Sequence, residues 1–502
     1  MAKRINAGDL VRRVRRLGTT RAVFAFTRTA ADFAVAAGSS SGTGVAAEGA
    51  AAAASEEPAA KRAKKAAGHS ALLAFFGVCC LLQAAAAGGG CNGAAAPCSL
   101  NGVCQHSGVR NDPGRCLCDP GWRSDDCSVL RLGPAALKNG YRQQNVSSWG
   151  GSVIFDGGTY HMFVEEIVNN CGLDTYVRNM RVVHAVSKSS AAGPYTPANL
   201  VANFSASTPH AVRDPANGDW LVFATGCGRE ACLAVTECSG GTTSSGANMS
   251  PCPNGSRDNG SSVALGARAG HPLHAAPCKC PGAGHPVPGP ECSVDWGTTV
   301  FRAPTPDGPW TLTAPLLDVN HPKLTHSDGT PVVMANPSAL LLANGTSLVM
   351  YRDFWQKLRF PATNVLGLAI SHTGWRGPYT DIIRKIVPAP FFNEDPHIYR
   401  GKRGSYHMLA HSLCLAWPHC TDVGGHASSA DGIEWHYSSG AAFNTTVEFE
   451  DGTSRTFSRR ERPELLHDPE SGSPTHLITG VTEPGGAGRS DRSWTLVQPV
   501  IH

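Results

Sequence analysis

From residue 149 onward the chain repeats one pattern: a small or acidic opener, an apolar run, a Gly or Asn turn, and a second apolar run ending near a small polar residue. The clearest copy runs from Asn393 to His411, opening on Asn-Glu-Asp-Pro-His-Ile-Tyr and turning at Gly401-Lys-Arg-Gly404. Other copies occupy Trp149 to Glu165, Arg213 to Thr225, Asn336 to Asp353 and Glu461 to Gly480. Short apolar runs bounded by turn residues predict strands joined as hairpins. In the first four copies a third run follows, and then an aromatic turn: Gly193-Pro194-Tyr195, Gly308-Pro309-Trp310, Gly377-Pro378-Tyr379 and Asp431 to Trp435. A lone hairpin cannot bury its apolar face, so self-similarity at roughly 60 residues with about four strands per copy predicts blades around an axis. The expected fold is all-β, with residues 131–502 forming a five-bladed β-propeller and a Cys-rich insertion at about 226–293 in its second blade.

The chain before the repeats has a different texture. Residues 1–68 are Arg-rich and then Ala-, Gly- and Ser-rich, ending in Lys61-Arg62-Ala63-Lys64-Lys65, which predicts a disordered basic tail on the cytosolic side. Residues 69–87 hold an uncharged apolar stretch, Ser70 to Ala87, covering roughly 27 Å as a helix. With lysines only on its N-terminal side, it reads as a transmembrane signal anchor of a single-pass type II membrane protein. A late, cleaved signal peptide is the other reading, giving a secreted product. Both deliver the rest of the chain to the secretory pathway or cell surface.

Composition supports that compartment. Sixteen of the 18 cysteines follow residue 90, as do seven sequons, at Asn145, Asn203, Asn248, Asn254, Asn259, Asn344 and Asn444. A formal charge of +4 with the basic excess concentrated near the N-terminus gives no argument for nucleic acid. The cysteines within 226–293, including Cys278-Lys279-Cys280, read as disulfide partners in such a setting, and no metal is expected. Cys414 and Cys420 are spaced to close a short loop, and Cys171 to pair with an insertion cysteine. No phosphate-cradling glycine loop, dinucleotide fingerprint, zinc-protease helix or nucleophile elbow occurs, so no cofactor is expected.

Residues 88–130 carry six cysteines, Cys91, Cys98, Cys104, Cys116, Cys118 and Cys127, with Asn101-Gly102 and Gly121-Trp122 among them. So short a module holds together by covalent bridges more than by burial. Spacing alone leaves fifteen pairings open. The pattern resembles the EGF-like family, which implies Cys91–Cys104, Cys98–Cys116 and Cys118–Cys127. Gly88-Gly89-Gly90 stands where calcium-binding members carry acidic residues, so no calcium is expected. The module reads either as a contact surface for a protein partner or as a stiff spacer.

The repeats resemble those of the five-bladed propeller glycosidases, glycoside hydrolase family 43 and its relatives, over roughly residues 149–500. The resemblance implies carboxylates from several inner strands meeting around one sugar: a base on the first blade, a pKa-tuning Asp on the third and a general acid Glu on the fourth. Glu394-Asp395-Pro396 matches the acid position, with Glu394 as proton donor and Asp395 beside it. Asn336 stands in place of the tuning Asp, and Trp149-Gly150-Gly151-Ser152 offers no base. Candidate substitutes are Asp214 of Arg213-Asp214-Pro215, Glu461, and Glu165 or Glu166. Arg178, Arg181, Arg352, Arg460 and Arg462 are candidates for binding an anionic glycan through paired hydrogen bonds. His184, His397 and His426 are candidates for the site or for the blade interior, and Trp149, Tyr176 and Trp435 for stacking on a sugar.

Two functions follow. One is a membrane-anchored, lumenal or extracellular protein that recognises a glycan without two-carboxylate hydrolysis; the other is an active glycoside hydrolase using Glu394 as acid. A third carboxylate within about 10 Å of Glu394 favours the enzyme. A pocket lined only by Arg, His and aromatic residues favours the binder.

Overall fold

The computed structural model describes residues 91, 94–109, 112–168, 171–173, 180–203, 206–226, 297–313, 334–354, 364–379, 381–384, 393–412, 423–438, 440–483 and 493–502. The tail and apolar segment of residues 1–87 lie outside them, as do Arg178, Tyr176, Asn248, Asn254, Asn259, Cys414 and Cys420. No helix among the described residues is long and apolar enough to cross a membrane.

Four antiparallel four-stranded sheets follow one another along the chain, and a three-stranded sheet ends the series. Their inner strands are Ser147–Asp156, Ser207–Arg213, Met334–Leu341, Asn393–Arg400 and Arg459–His467. In every sheet the strands pair in chain order from the inner one outward. Each inner strand packs beside that of the next blade, and the fifth beside the first, so the five close a ring.

The second strands are apolar on both faces because each face meets a neighbouring blade. In Trp220–Thr225, Trp220, Val222 and Ala224 face the first blade's Phe163 and Val182, whereas Leu221 and Phe223 face the third blade's Val349 and Tyr351. Separate clusters fill the seams between blades three and four, four and five, and five and one. This two-sided burial is what a single hairpin lacks.

Chain segments distant in sequence close the ring. Just before the first blade, Tyr141 N–H donates to Thr495 O and Gly133 N–H to Pro499 O, each at 2.9 Å, so this segment covers the outer strand of blade five. In blade two, Gly226 N–H donates to Gly297 O at 2.9 Å and Thr225 pairs with Thr298. The sheet therefore resumes in register on either side of residues 227–296.

Disulfides join Cys91 to Cys104, Cys98 to Cys116 and Cys118 to Cys127. The module they staple packs directly against the propeller. Trp122 is buried with Leu130 among Tyr399, Leu409, Phe443, Leu465 and Leu477 of blades four and five. Asp119 takes a two-pronged contact from Arg403 at 2.8 and 2.6 Å, and Leu130 N–H donates to Ala442 O.

Candidate axial binding site

Every inner strand opens with the same backbone device. Two of its residues oppose one on the second strand: Gly150-Gly151, Thr208-Pro209, Asn336-Pro337, Asp395-Pro396 and Arg462-Pro463. The first of each pair has a left-handed φ, 66°, 54°, 51°, 53° and 56° in turn. For a residue with a side chain this costs about 1–3 kcal/mol, tolerated where the surroundings fix it. A bulge bends the strand and re-aims a side chain, and proline suits it because no ladder N–H is needed there. Gly151 and the other four pairs, with Trp149 and Glu464, line one funnel at the axis, about 320 Å³ with its open mouth.

The repeated backbone carries unequal chemistry. Blades one to three offer Gly150, Thr208 and Asn336; blades four and five offer Asp395 and Arg462. Asn336 Nδ2 donates to Asp395 Oδ1 at 2.5 Å, and Arg462 Nε lies 4.0 Å from the same oxygen. Arg462 Nη1 lies 3.8 Å from Glu165, whose Oε2 accepts the Thr208 N–H at 2.9 Å. Burial raises the Glu165 carboxyl above its ordinary range against Arg462 and that hydrogen bond. Burial also pushes Asp395 up to about 6; Arg462 and His411 pull down, while Glu394 and Glu461 push further up.

Glu394 behaves in the opposite way. Arg352 Nη1 approaches its Oε2 at 2.9 Å and His411 Nδ1 its Oε1 at 3.1 Å. Burial works against its charge, but Arg352 and then His411 hold it down to about 2. Glu461 receives Arg459 through two contacts of 2.7 and 2.9 Å, and Arg459 and His411 hold it low despite burial. His411 lies between these acids, 4.0 Å from Glu461; burial opposes its charge, yet Glu461 and Glu394 raise it to about 9.

These contacts tell against the expected role of Glu394 as proton donor. A carboxylate held ionised by an arginine and an imidazolium has no proton to give at neutral pH, and Glu394 is not among the residues lining the funnel. Asp395 has both the opening and the raised pKa. Glu461 forms the same kind of wall behind Arg462.

Asp214 is corrected for a different reason. It follows the far end of the strand that opens at Thr208, about 20 Å along the strand from it. There it accepts Trp375 Nε1–H at 3.1 Å and the Ala216 N–H at 3.0 Å, capping a turn. The true opener of blade two is Ser207-Thr208-Pro209.

The remaining candidates separate cleanly. His397 belongs to the funnel floor, where Glu464 lies 2.8 Å from both His397 Nδ1 and His210 Nδ1. Burial opposes the Glu464 charge, but the two histidines hold it to about 2. His184 packs between blades one and two, 2.9 Å from His161 and stacked on Phe163. His426 lies in the seam with the disulfide-stapled module. Arg181 is paired with Glu166 at 2.6 Å, and Glu166 also accepts the Tyr141 hydroxyl, away from the axis. Arg460 is fully buried in blade five, donating to Gln498, Asn444 O and Thr479. Trp435 donates to Gly432 O within its own turn, so of the aromatic candidates Trp149 alone lines the funnel among the described residues.

Donor atoms suited to a cation converge in two places near the axis, at His210, His397 and Glu464 and at Glu394, Asp395, His411 and Glu461. In the second, Arg352 and Arg459 already neutralise the acids. Sequence reasoning missed Thr208, His210, His411 and Glu464. Aligning the prolines at 209, 337, 396 and 463 would have found the first two and the last.

The fold and site thus define a five-bladed propeller with a polar axial funnel and a disulfide-stapled module docked on its fourth and fifth blades. No protein-family model and no curated protein sequence matches the chain. Among solved structures it is similar to a thermostable family-43 glycoside hydrolase, at 11% identity over 74% of this chain and 92% of that one, with a TM-score of 0.44. It is similar also to a family 117 glycoside hydrolase of the marine bacterium Zobellia galactanivorans, at 12% identity over 74% and 89%, with a TM-score of 0.40. An endo-arabinase from Bacteroides thetaiotaomicron gives 12% identity over 71% and 95%, with a TM-score of 0.38.

Proposed function

We propose that the axial funnel binds a saccharide unit of a glycan and that the protein recognises glycans without two-carboxylate hydrolysis. One observation carries this reading. Of the two acids lining the funnel, Glu464 is held ionised between two histidines, which leaves Asp395 alone to exchange a proton near neutrality. The enzyme criterion is met in number, since oxygens of Asp395 and Glu461 lie within 4.8 Å of one of Glu394. It fails in chemistry, because Glu394 and Glu461 are paired with Arg352, Arg459 and His411 and are not among the residues lining the funnel. A hydrolase needs one acid and one base or nucleophile open to the same sugar.

The enclosed part of the funnel is small, so a saccharide would present one edge to it from the open mouth. Polar groups at Asn336, Asp395 and Arg462 would take its hydroxyls, with Trp149 and the proline ring as the apolar wall. The reading places residues 88–502 in a lumenal or extracellular setting, tethered by residues 69–87. Three disulfides within 91–127 and exposed sequon asparagines at 145, 344 and 444 support it. The EGF-like module uses one face on the propeller and keeps Val103 and Leu117 exposed for a protein contact.

A screen of the purified protein against a glycan panel, scoring retention and cleavage together, tests the proposal. Retention without cleavage is expected, and Asp395→Asn should change affinity only. The raised Asp395 pKa favours a second reading, hydrolysis with Asp395 as acid. Turnover that Asp395→Asn abolishes would establish that reading and end the first.

A further inference from the structure

We propose that the funnel selects a saccharide bearing an anionic substituent, a carboxylate or a sulfate ester, and that the Arg462 guanidinium is the group that reads it. This rests on the carbohydrate-binding reading above and adds the class of sugar.

The argument starts from how the nearby arginines are used. Arg352 is engaged by Glu394, Arg459 by both oxygens of Glu461 and Arg181 by Glu166, while Arg460 is buried away from the axis. Arg462 lines the funnel, and its two nearest carboxylates stand at 3.8 and 4.0 Å, beyond the roughly 3.2 Å limit of a good N–H···O bond. Its Nε is buried with no hydrogen-bond partner.

Both carboxyls are anchored by other groups. Glu165 accepts the Thr208 N–H of blade two, and Asp395 accepts Asn336 Nδ2–H of blade three. The neighbouring blades therefore hold the acids in place and leave the guanidinium donors unspent. A planar guanidinium with unspent donors matches a carboxylate or sulfate through paired hydrogen bonds.

Charge around the funnel points the same way. Around Asp395 stand Glu165 from blade one, Asn336 from blade three, Glu394 and His411 from blade four, and Glu461 and Arg462 from blade five, with Arg352 and Arg459 paired to Glu394 and Glu461. Glu394 and Glu461 are matched by Arg352 and Arg459, and Glu464 lies between His210 and His397. The acids nearest Arg462 are Glu165 and Asp395, both of which burial disposes toward neutrality. Protonating Asp395 removes a competing anion from Arg462, so an anionic sugar binds more tightly as pH falls through about 6.

The test titrates the full-length protein with a matched trio: a neutral oligosaccharide, its uronate counterpart and its sulfate ester, at pH 5.5 and pH 7.5. At pH 5.5 at least one anionic member should bind about tenfold or more tightly than the neutral one, with the preference shrinking severalfold at pH 7.5. Which member wins separates carboxylate from sulfate. Arg462→Gln should erase the preference by weakening the anionic member more than the neutral one, and Arg462→Lys should restore part of it. Equal binding of all three by the wild type, or a preference that survives Arg462→Gln, overturns the inference and leaves carbohydrate binding standing. Binding of none removes both. The wild-type trio decides the matter even if the Gln variant fails to fold.

Discussion

The axis and the module seam both bury histidine, and they treat it in opposite ways. At the axis His411 sits between Glu394 and Glu461 and is held protonated, to about 9. In the seam Asn101 Nδ2–H donates to His426 Nε2 at 3.2 Å, which leaves Nδ1 to donate to Ser438 Oγ at 2.9 Å. With His407 stacked on it and Trp122 tilted against it, His426 is pushed down to about 4 by burial. Burial penalises the charged form in both places; only carboxylates in contact reverse it. One region is an electrostatic assembly beside the axial funnel, and the other is a neutral joint.

The largest effect should come from breaking the axial assembly. His411→Gln leaves two buried carboxylates without the cation between them and should cost about 3–5 kcal/mol in urea unfolding. It should also remove the alkaline limb of stability. A histidine raised above its unfolded value stabilises below about pH 6.5, and that stabilisation is lost as pH rises through 9. An unchanged alkaline limb would show that His411 is not the cation there.

The seam has the opposite sign. A histidine depressed to about 4 contributes stability above about pH 6.5 that is lost as pH falls through 4, on the order of 3 kcal/mol. His426→Gln should flatten that acid limb by about this amount, read from unfolding midpoints between pH 4 and 7, with little change above pH 7.5.

A smaller change tests the axial ring itself. Asp395 is ionised at pH 7.5 against the preference of its surroundings, so Asp395→Asn should stabilise the protein by about 1 kcal/mol at that pH. The gain should vanish near pH 4, where the wild-type carboxyl is protonated. A loss above 1 kcal/mol at pH 7.5 would mean that the Arg462 contact dominates. Least of all, Asp214→Asn should cost about 1 kcal/mol or less and leave glycan retention untouched, since it weakens only a turn and the Trp375 contact.

How much of this was legible in the sequence follows from the range of each interaction. The module's pairing was legible only through the resemblance of its six cysteines to the EGF-like pattern, since their spacing alone leaves fifteen pairings open. The blades were legible because hairpins are local and the pattern repeats. The opener of blade two was misplaced because Arg213-Asp214-Pro215 imitates Glu394-Asp395-Pro396, whereas the bulge proper is Thr208-Pro209. An Asp before Pro fits a turn as well as an axial bulge, and only the register separates them. The charge state of Glu394 was not legible. His411 stands opposite it in the same hairpin, but Arg352 comes from the second strand of blade three, and no spacing rule joins Arg352 to it.

The central claim is that the five inner-strand openings form one carbohydrate site. The most direct measurement is a crystal structure of the protein with whichever saccharide the panel retains. Density for one sugar ring in the axial funnel, within hydrogen-bonding distance of Arg462 and Asn336, is the predicted result. A ring bound at the module seam or on an outer strand, with the funnel untouched, would contradict the account.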